Sequence, residues 1–239
     1  MSSNEVNRRG FLHQVGVGTA AAAAVTAVSV QAASVAEPGT KIKIVGVSTS
    51  LRKGKTTAAA VQRALEAAQA AAPDRIEIEL IELAGLKLPV NILVGETLEP
   101  GERDDFPAIA EKLAAPEVGG IIIGTPTYFA NMSSLCKAFL ERWMTFRKGG
   151  FPLSNKIGGV LATGGARDGG QELTIQSVQA ALLCHELLVI GDGRPSAHFG
   201  PVLWNQGDDI SQDEIGLKAA DNLGRRVGEL ALRMAGSAP

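Results

Sequence analysis

Aromatic residues make up 4% of this 239-residue chain, with one tyrosine and two tryptophans. That leaves little for a surface that stacks bases on rings. Charge of one sign is lacking too. Acidic and basic residues are interspersed to a net charge of −2, without the basic face that nucleic-acid binding requires. Cysteine occurs twice, at Cys136 and Cys184, which suits neither a disulfide framework nor a metal site. Both lie in apolar helical patterns, where free thiols are expected in the core. No internal repeat and no domain linker is present.

Acids are absent between Glu5 and Glu37. That stretch holds Asn7-Arg8-Arg9-Gly10-Phe11-Leu12-His13, a twin-arginine start, and then the mildly apolar run Val15 to Ala33. The run is mostly Ala, Gly, Thr and Ser, too weakly apolar to hold a membrane span firmly. Ser34-Val35-Ala36 offers small residues at the two positions a signal peptidase reads, which predicts cleavage after Ala36. The segment resembles a twin-arginine (Tat) signal, implying export of an already folded protein to a periplasmic or extracytoplasmic site. Residues 1–36 are therefore set apart from one predicted domain over 41–236.

That domain is organised around Lys41 to Thr57, KIKIVGVSTSLRKGKTT. A β-branched apolar run predicts a buried strand over 41–47. A small, polar, basic loop follows, and an Ala-rich helix runs from Thr56 to Ala72. Strand, polar loop and helix place N–H groups and a positive helix end around an anion. Further strands are predicted at 76–83, 118–124, 156–163 and 186–191. Helices are predicted at 106–115, 133–147, 172–184 and 212–234, with 193–211 irregular and 84–105 a long connection. Alternating strands and helices argue for an α/β fold with a parallel sheet, whose ligand sits at the carboxyl ends of the strands. Three polar loops fall there: Ser48–Thr57, Thr125–Met132 and Gly164–Gln171.

Gly54-Lys55-Thr56-Thr57 looks like the end of a nucleotide-hydrolase P-loop, but the first glycine of that motif would fall on Thr49. The apolar strand ending Ile123-Gly124-Thr125-Pro126 also lacks the expected magnesium-binding acid. Ser50 to Thr57 matches S-x-R-x-x-x-[NT]-T, Gly124 to Met132 matches S/T-P-x-Y-F-G-N, and Ala162 to Glu172 ends in G-G-Q-E. On these blocks the chain resembles the NADPH-dependent FMN reductase family of flavodoxin-like proteins, including its quinone-reductase members.

The resemblance implies a flavodoxin-like three-layer sandwich with a five-stranded parallel sheet in the order 2-1-3-4-5 and helices on both faces. It implies noncovalent FMN, NAD(P)H as donor and an acceptor such as a quinone. It also implies assembly as a homodimer or homotetramer. The cofactor-binding residues expected are Ser50, Arg52, Thr56 and Thr57 for the phosphate. Thr125, Pro126, Thr127, Tyr128, Phe129, Asn131 and Met132 are expected at the ring, with Thr163, Gly164, Gly165 and Gly169 in the third loop. Ser50, Thr56 and Thr57 offer hydroxyls and Arg52 a forked cation. Lys53 and Lys55 read as solvated charge. Asn131 could cap the following helix, contact the ligand, or do both. The flavin carries the chemistry, so no catalytic side chain is named.

Three departures matter. Ala130 stands where glycine is common. Asp168 stands where many quinone-reductase relatives carry histidine, so their substrate preference does not carry over. The iron–sulfur cysteines that some relatives place in the second connection are missing from 84–105. His185 reads as structural, and His198 lies in the irregular Pro195–Pro201 segment, where it could line the substrate side. Export sits awkwardly with NAD(P)H as donor, which keeps open an electron carrier fed by a membrane quinone or redox partner.

Overall fold

The computed structural model describes residues 41–236; the twin-arginine start and the Ala36 cleavage site lie outside them. β1 (Ile42–Ser48), α1 (Thr56–Ala71), β2 (Ile76–Glu82), α2 (Phe106–Ala114) and β3 (Val118–Tyr128) follow one another. Next come β4 (Asn131–Met132), α3 (Ser134–Arg142), α4 (Met144–Lys148), β5 (Ile157–Gly164) and α5 (Gln171–Leu183). β6 (Leu188–Ile190), β7 (Val202–Trp204) and α6 (Glu214–Gly236) complete the domain. The main sheet runs β2-β1-β3-β5-β6, all parallel, which is the flavodoxin-like order 2-1-3-4-5.

The predicted elements form largely where expected, with three corrections. The helix predicted over 133–147 breaks at Trp143 into α3 and α4. The fifth strand shrinks to three residues, and the region read as irregular contains β7, which pairs with β5 beyond β6. The two strands share one edge, separated by the excursion 191–201. Cys184 is exposed rather than buried; only Cys136 is a core thiol.

Alternation along the strands divides the core between two faces. Val45, Val47, Ile121, Ile123 and Val160 pack with Phe106, Phe139 and Val178 from α2, α3 and α5 and with Trp143 between α3 and α4. Ile44, Ile122, Ile157 and Leu161 pack with Ala60, Ala64, Leu65, Leu223 and Val227 from α1 and α6. On this second face the sheet is small at Gly46, Gly120, Gly124 and Gly159, where a Cβ would meet side chains of α1 or α6. The helices lie correspondingly close to each other. A Cβ on Gly224 would sit 1.8 Å from the Ala64 carbonyl oxygen, and one on Gly228 2.9 Å from that of Ala68. This small-residue seam sets the height of α1 over the sheet.

The connection 84–105 is anchored by Arg142. Its buried guanidinium binds both Asp104 oxygens (2.9 and 2.8 Å) and the Pro89 carbonyl (2.8 Å), and it lies over the Phe106 ring at 4.7 Å. Burial opposes ionisation of Asp104, but Arg142 and the Phe106 N–H win and hold its carboxyl below the usual value. His185 is structural as expected. It lies edge-on to Trp143 at 5.3 Å and Phe146 at 6.5 Å, and burial together with Arg147 lowers its pKa from 6.5.

Two outcomes follow. Gly224→Ala should push α6 off α1 and cost about 2–3 kcal/mol, the scale of overpacking a tight core, read as a lower urea midpoint. His185 takes up a proton more readily in the unfolded chain than in the folded one. Stability should therefore fall as pH drops below about 6.5, where ordinary imidazole begins to charge. His185→Phe should flatten that dependence in urea titrations between about pH 5 and 7.

Candidate functional site

Parallel strands end at the same edge, so the segments after β1, β3 and β5 converge there. Hydroxyl groups hold them together. Thr49 sends its Oγ1 proton (2.9 Å) and its N–H (2.8 Å) to the Gly124 carbonyl. Ser133 Oγ donates to the Thr49 carbonyl (2.8 Å), and the Ser133 N–H donates to Thr125 Oγ1 (3.1 Å). The Thr57 and Thr163 hydroxyls lie 2.8 Å apart. All five residues are buried, where such bonds are strong because water does not compete. The Cys136 thiol packs beneath. Burial pushes its pKa up to about 11, against hydrogen bonds with Thr49 and Thr125.

The first loop meets an uncapped helix. Lys55 makes no side-chain cap for α1, and the first turn holds no acid. The orphan N–H groups and positive end of α1 therefore face the loop. Ser50, Thr56 and Thr57 bring buried side chains to it, and Ser50 Oγ accepts the Arg52 N–H at 3.1 Å. Gly54 has φ +64 and open space where a Cβ would point; its N–H donates to Glu82 Oε2 at 2.6 Å. Arg52 and Lys55 both pair with Asp208, at 2.5 and 3.5 Å. The hydrogen bond from Arg52, helped by Lys55, holds the Asp208 carboxyl below its usual value. Lys55, expected as solvated charge, is thus drawn to this loop.

The second loop proves to be a hairpin. β3 continues through Tyr128, and β4 returns antiparallel, pairing Thr127 with Met132 and Tyr128 with Asn131. The two turn residues, Phe129 (φ +51) and Ala130 (φ +57), are both left-handed. Such a turn matches the strand twist but normally takes Asn-Gly. Phe129 is fully exposed at its tip, and Tyr128 is half exposed. Asn131 is not the helix cap. Ser133 takes that position, accepting the Cys136 N–H at 3.0 Å. Asn131 Oδ1 instead accepts from the Met132 N–H (2.8 Å) and Ser177 Oγ (3.2 Å), tying the hairpin to α5. Thr127 Oγ1 is buried without a partner.

In the third loop, the Gln171 side chain is buried and closes a small ring. It donates to the Ala166 carbonyl (2.5 Å) and accepts the Gly169 N–H (2.7 Å). The Gly169 N–H, expected to face a ligand, is therefore used within the loop. Gly170, at φ +91, packs so closely on the hairpin that a Cβ would lie 2.6 Å from that of Ala130. Gly165 has open space at the corresponding position.

The expected residues lie on segments that converge at one edge, except that Met132 packs against the core and lines a separate groove with Leu140, Met144 and His185. A fourth wall was not anticipated. Trp204 Nε1 donates to the Gly165 carbonyl (3.3 Å) and the Asn205 N–H to that of Gly164 (2.8 Å). Asn205 Oδ1 is buried and unpaired. Arg167 lies over the Trp204 ring at 5.6 Å and binds Asp213 at 2.6 Å. Burial opposes ionisation of Asp213, yet the Trp204 N–H and Arg167 keep its carboxyl below the usual value. The signal in the sequence was the short run Val202-Leu203-Trp204 followed by the turn Asn205 to Asp209. His198 lies away from the anion loop. It lines a cavity of about 770 Å³ between α5, α6 and the excursion, shared with Arg167 and Asp168. Asp192, buried beneath, is 3.5 Å from its Nδ1.

The family described as NADPH-dependent FMN reductase matches residues 42–201. An iron–sulfur flavoprotein of Methanocaldococcus jannaschii is 38% identical over 193 residues, covering 79% of this chain and 97% of that protein. One from Methanosarcina thermophila is 32% identical over 191 residues, covering 78% and 93%. The solved structure of a flavodoxin, a WrbA-like protein from Agrobacterium tumefaciens, shares the fold with a TM-score of 0.57 at 18% identity, covering 81% of this chain and 99% of that one. The iron–sulfur name belongs to those relatives. This chain has two cysteines in all, half of what an all-cysteine cluster takes.

The hairpin carries a test of its own geometry. Ala130→Gly removes a left-handed alanine without losing a packed side chain of any size. It should raise stability by about 0.5–1 kcal/mol, or about 1–3 °C in thermal unfolding.

Proposed function

Because the chain belongs to the NADPH-dependent FMN reductase family, an FMN-dependent oxidoreductase family, we propose that it holds FMN across the three converging loops. It would pass electrons from a small-molecule donor, NAD(P)H, to an acceptor such as a quinone. The observation that carries the reading is the uncapped N-terminus of α1 opening onto Ser50, Arg52, Gly54, Thr56 and Thr57. A phosphate monoester carries nearly two charges and several acceptor oxygens. The helix end, the hydroxyls and Arg52 supply the matching donors.

The remaining residues fit the rest of such a ligand. Thr127 Oγ1 and Asn205 Oδ1 are polar atoms left unpaired in buried positions, a state that normally costs stability unless a partner arrives. Tyr128 and Phe129 offer exposed apolar rings on one side, and open space at Gly165 admits a flat group on the other. FMN, when bound, would supply the two-electron redox chemistry. The chain's own residues position it. Thr57 and Thr163 set the spacing of the first and third loops, Gly170 seats the hairpin, and Trp204 fixes the third loop from outside. Asp168 lines the adjoining cavity with Arg167 and His198.

We further propose that residues 1–36 direct export through the Tat route, with 41–236 the working domain outside the cytoplasm. Assembly as a homodimer or homotetramer is proposed from the family resemblance. A carrier fed by a redox partner is the second reading, favoured by the twin-arginine start, since free NAD(P)H is not expected outside the cytoplasm.

The purified protein should show flavin absorption in the blue and near ultraviolet, or gain it on adding FMN, with the released cofactor identified as FMN. Arg52→Gln should weaken FMN binding about tenfold or more, as for loss of a charge-assisted hydrogen bond, and leave riboflavin nearly unchanged. Rapid anaerobic bleaching by NADPH or NADH, followed by recovery with a quinone, supports the reductase. Flavin that stays oxidised supports the carrier. A colourless protein that cannot be reconstituted sinks the flavin reading.

A further inference from the structure

The proposed phosphate cradle already holds acids of its own. Asp208 sits on the turn after β7 and pairs with Arg52 and Lys55. Glu82, the last residue of β2, takes the Gly54 N–H. Two cations beside the loop and the N–H of its glycine are therefore engaged by carboxylates from outside the loop. The two acids differ in kind. Glu82 binds the backbone and shapes the turn. Asp208 binds the side chains that would otherwise meet a phosphate.

Asp208 is placed there by its backbone. Gly207 and Asp208 are both left-handed, at φ +62 and +70. The turn they form is closed by the bridge between Gln206 and Asp209 and anchored to the third loop by Asn205. The ion pairs are solvent-facing: the Arg52 side chain is 48% exposed and that of Asp208 39%. Exposed pairs of this sort shift an equilibrium by no more than about fivefold. They can therefore be displaced by a ligand with more charge and more partners.

Building on the flavin reading, we propose that Asp208 is an intramolecular competitor for the cofactor's phosphate. It neutralises Arg52 and Lys55 and sets a threshold for phosphate entry. A dianionic phosphate monoester crosses it, because the hydroxyls and the α1 N-terminus add to what the cations offer. Weaker anions, with fewer partners to add, are held back up to about fivefold. The apparent affinity for FMN is reduced by the fraction of molecules in which Asp208 holds the cations, and affinity for riboflavin, which lacks the phosphate, is untouched.

The test is FMN and riboflavin titration, by quenching of flavin fluorescence, of wild type and Asp208→Asn across a range of salt concentrations. Asparagine tolerates the left-handed turn as aspartate does, so the variant keeps its fold. The variant should bind FMN about two- to fivefold more tightly, with riboflavin unchanged. Its FMN affinity should fall more steeply with salt, because one opposing acid is gone. In an Arg52→Gln background the gain should shrink, which places the effect on that pair. Unchanged or weaker FMN binding in Asp208→Asn, with wild type binding FMN, overturns the competitor. A weaker value would instead make Asp208 a clamp that stays with the bound phosphate. If neither protein binds FMN or riboflavin, the flavin reading falls and this inference falls with it.

Discussion

The site depends on a few buried hydrogen bonds made by hydroxyl groups at the ends of three strands. Thr49, Ser133 and Thr125 join the first segment to the hairpin, and Thr57 meets Thr163 across the third. Without them, three loops of small residues would each have many conformations and little apolar area to choose between them. A loop gains order only if its contacts outweigh the entropy lost. Here a buried hydrogen bond does this where packing does not. The hydroxyl residues at the strand ends therefore have a structural role of their own.

Beneath that knot, geometry is set by what is missing. Glycine and alanine on one face of the sheet let α1 and α6 descend close to it and to each other. The other face is filled by the aromatic set Phe106, Phe139, Trp143 and Phe146. The anion loop lies at the end of the close-packed helix, so its position follows from backbone approach rather than from large interlocking side chains. The long connection over the other face has an ionic anchor instead, at Arg142 and Asp104.

Much of this could be read from residue order. β-Branched runs marked the central strands, alanine marked α1, and glycine with polar residues marked the three loops. What escaped reading has physical reasons. The hairpin turn uses Phe129-Ala130 instead of Asn-Gly, so no local signal announced it. Asn131 looked like a cap, but the returning strand moved the helix start to Ser133. The fourth wall escaped because β7 is three residues long and is a strand only through its partner β5. Asp208 escaped for the same reason. Its role comes from a contact across 156 positions of chain, and no local pattern encodes such a meeting. Cys184 is exposed because it stands just past the end of α5, where the helical period no longer sets burial.

The seam between α1 and α6 joins the domain's first helix to its last. The turn bearing Asp208 also comes from the late part of the chain. During synthesis, then, the anion loop is made early but lacks its walls until about 150 further residues have emerged, a separation of the kind that delays non-local contacts. A chain truncated before α6 would carry every residue of the first loop and still lack the surface that holds α1 in place.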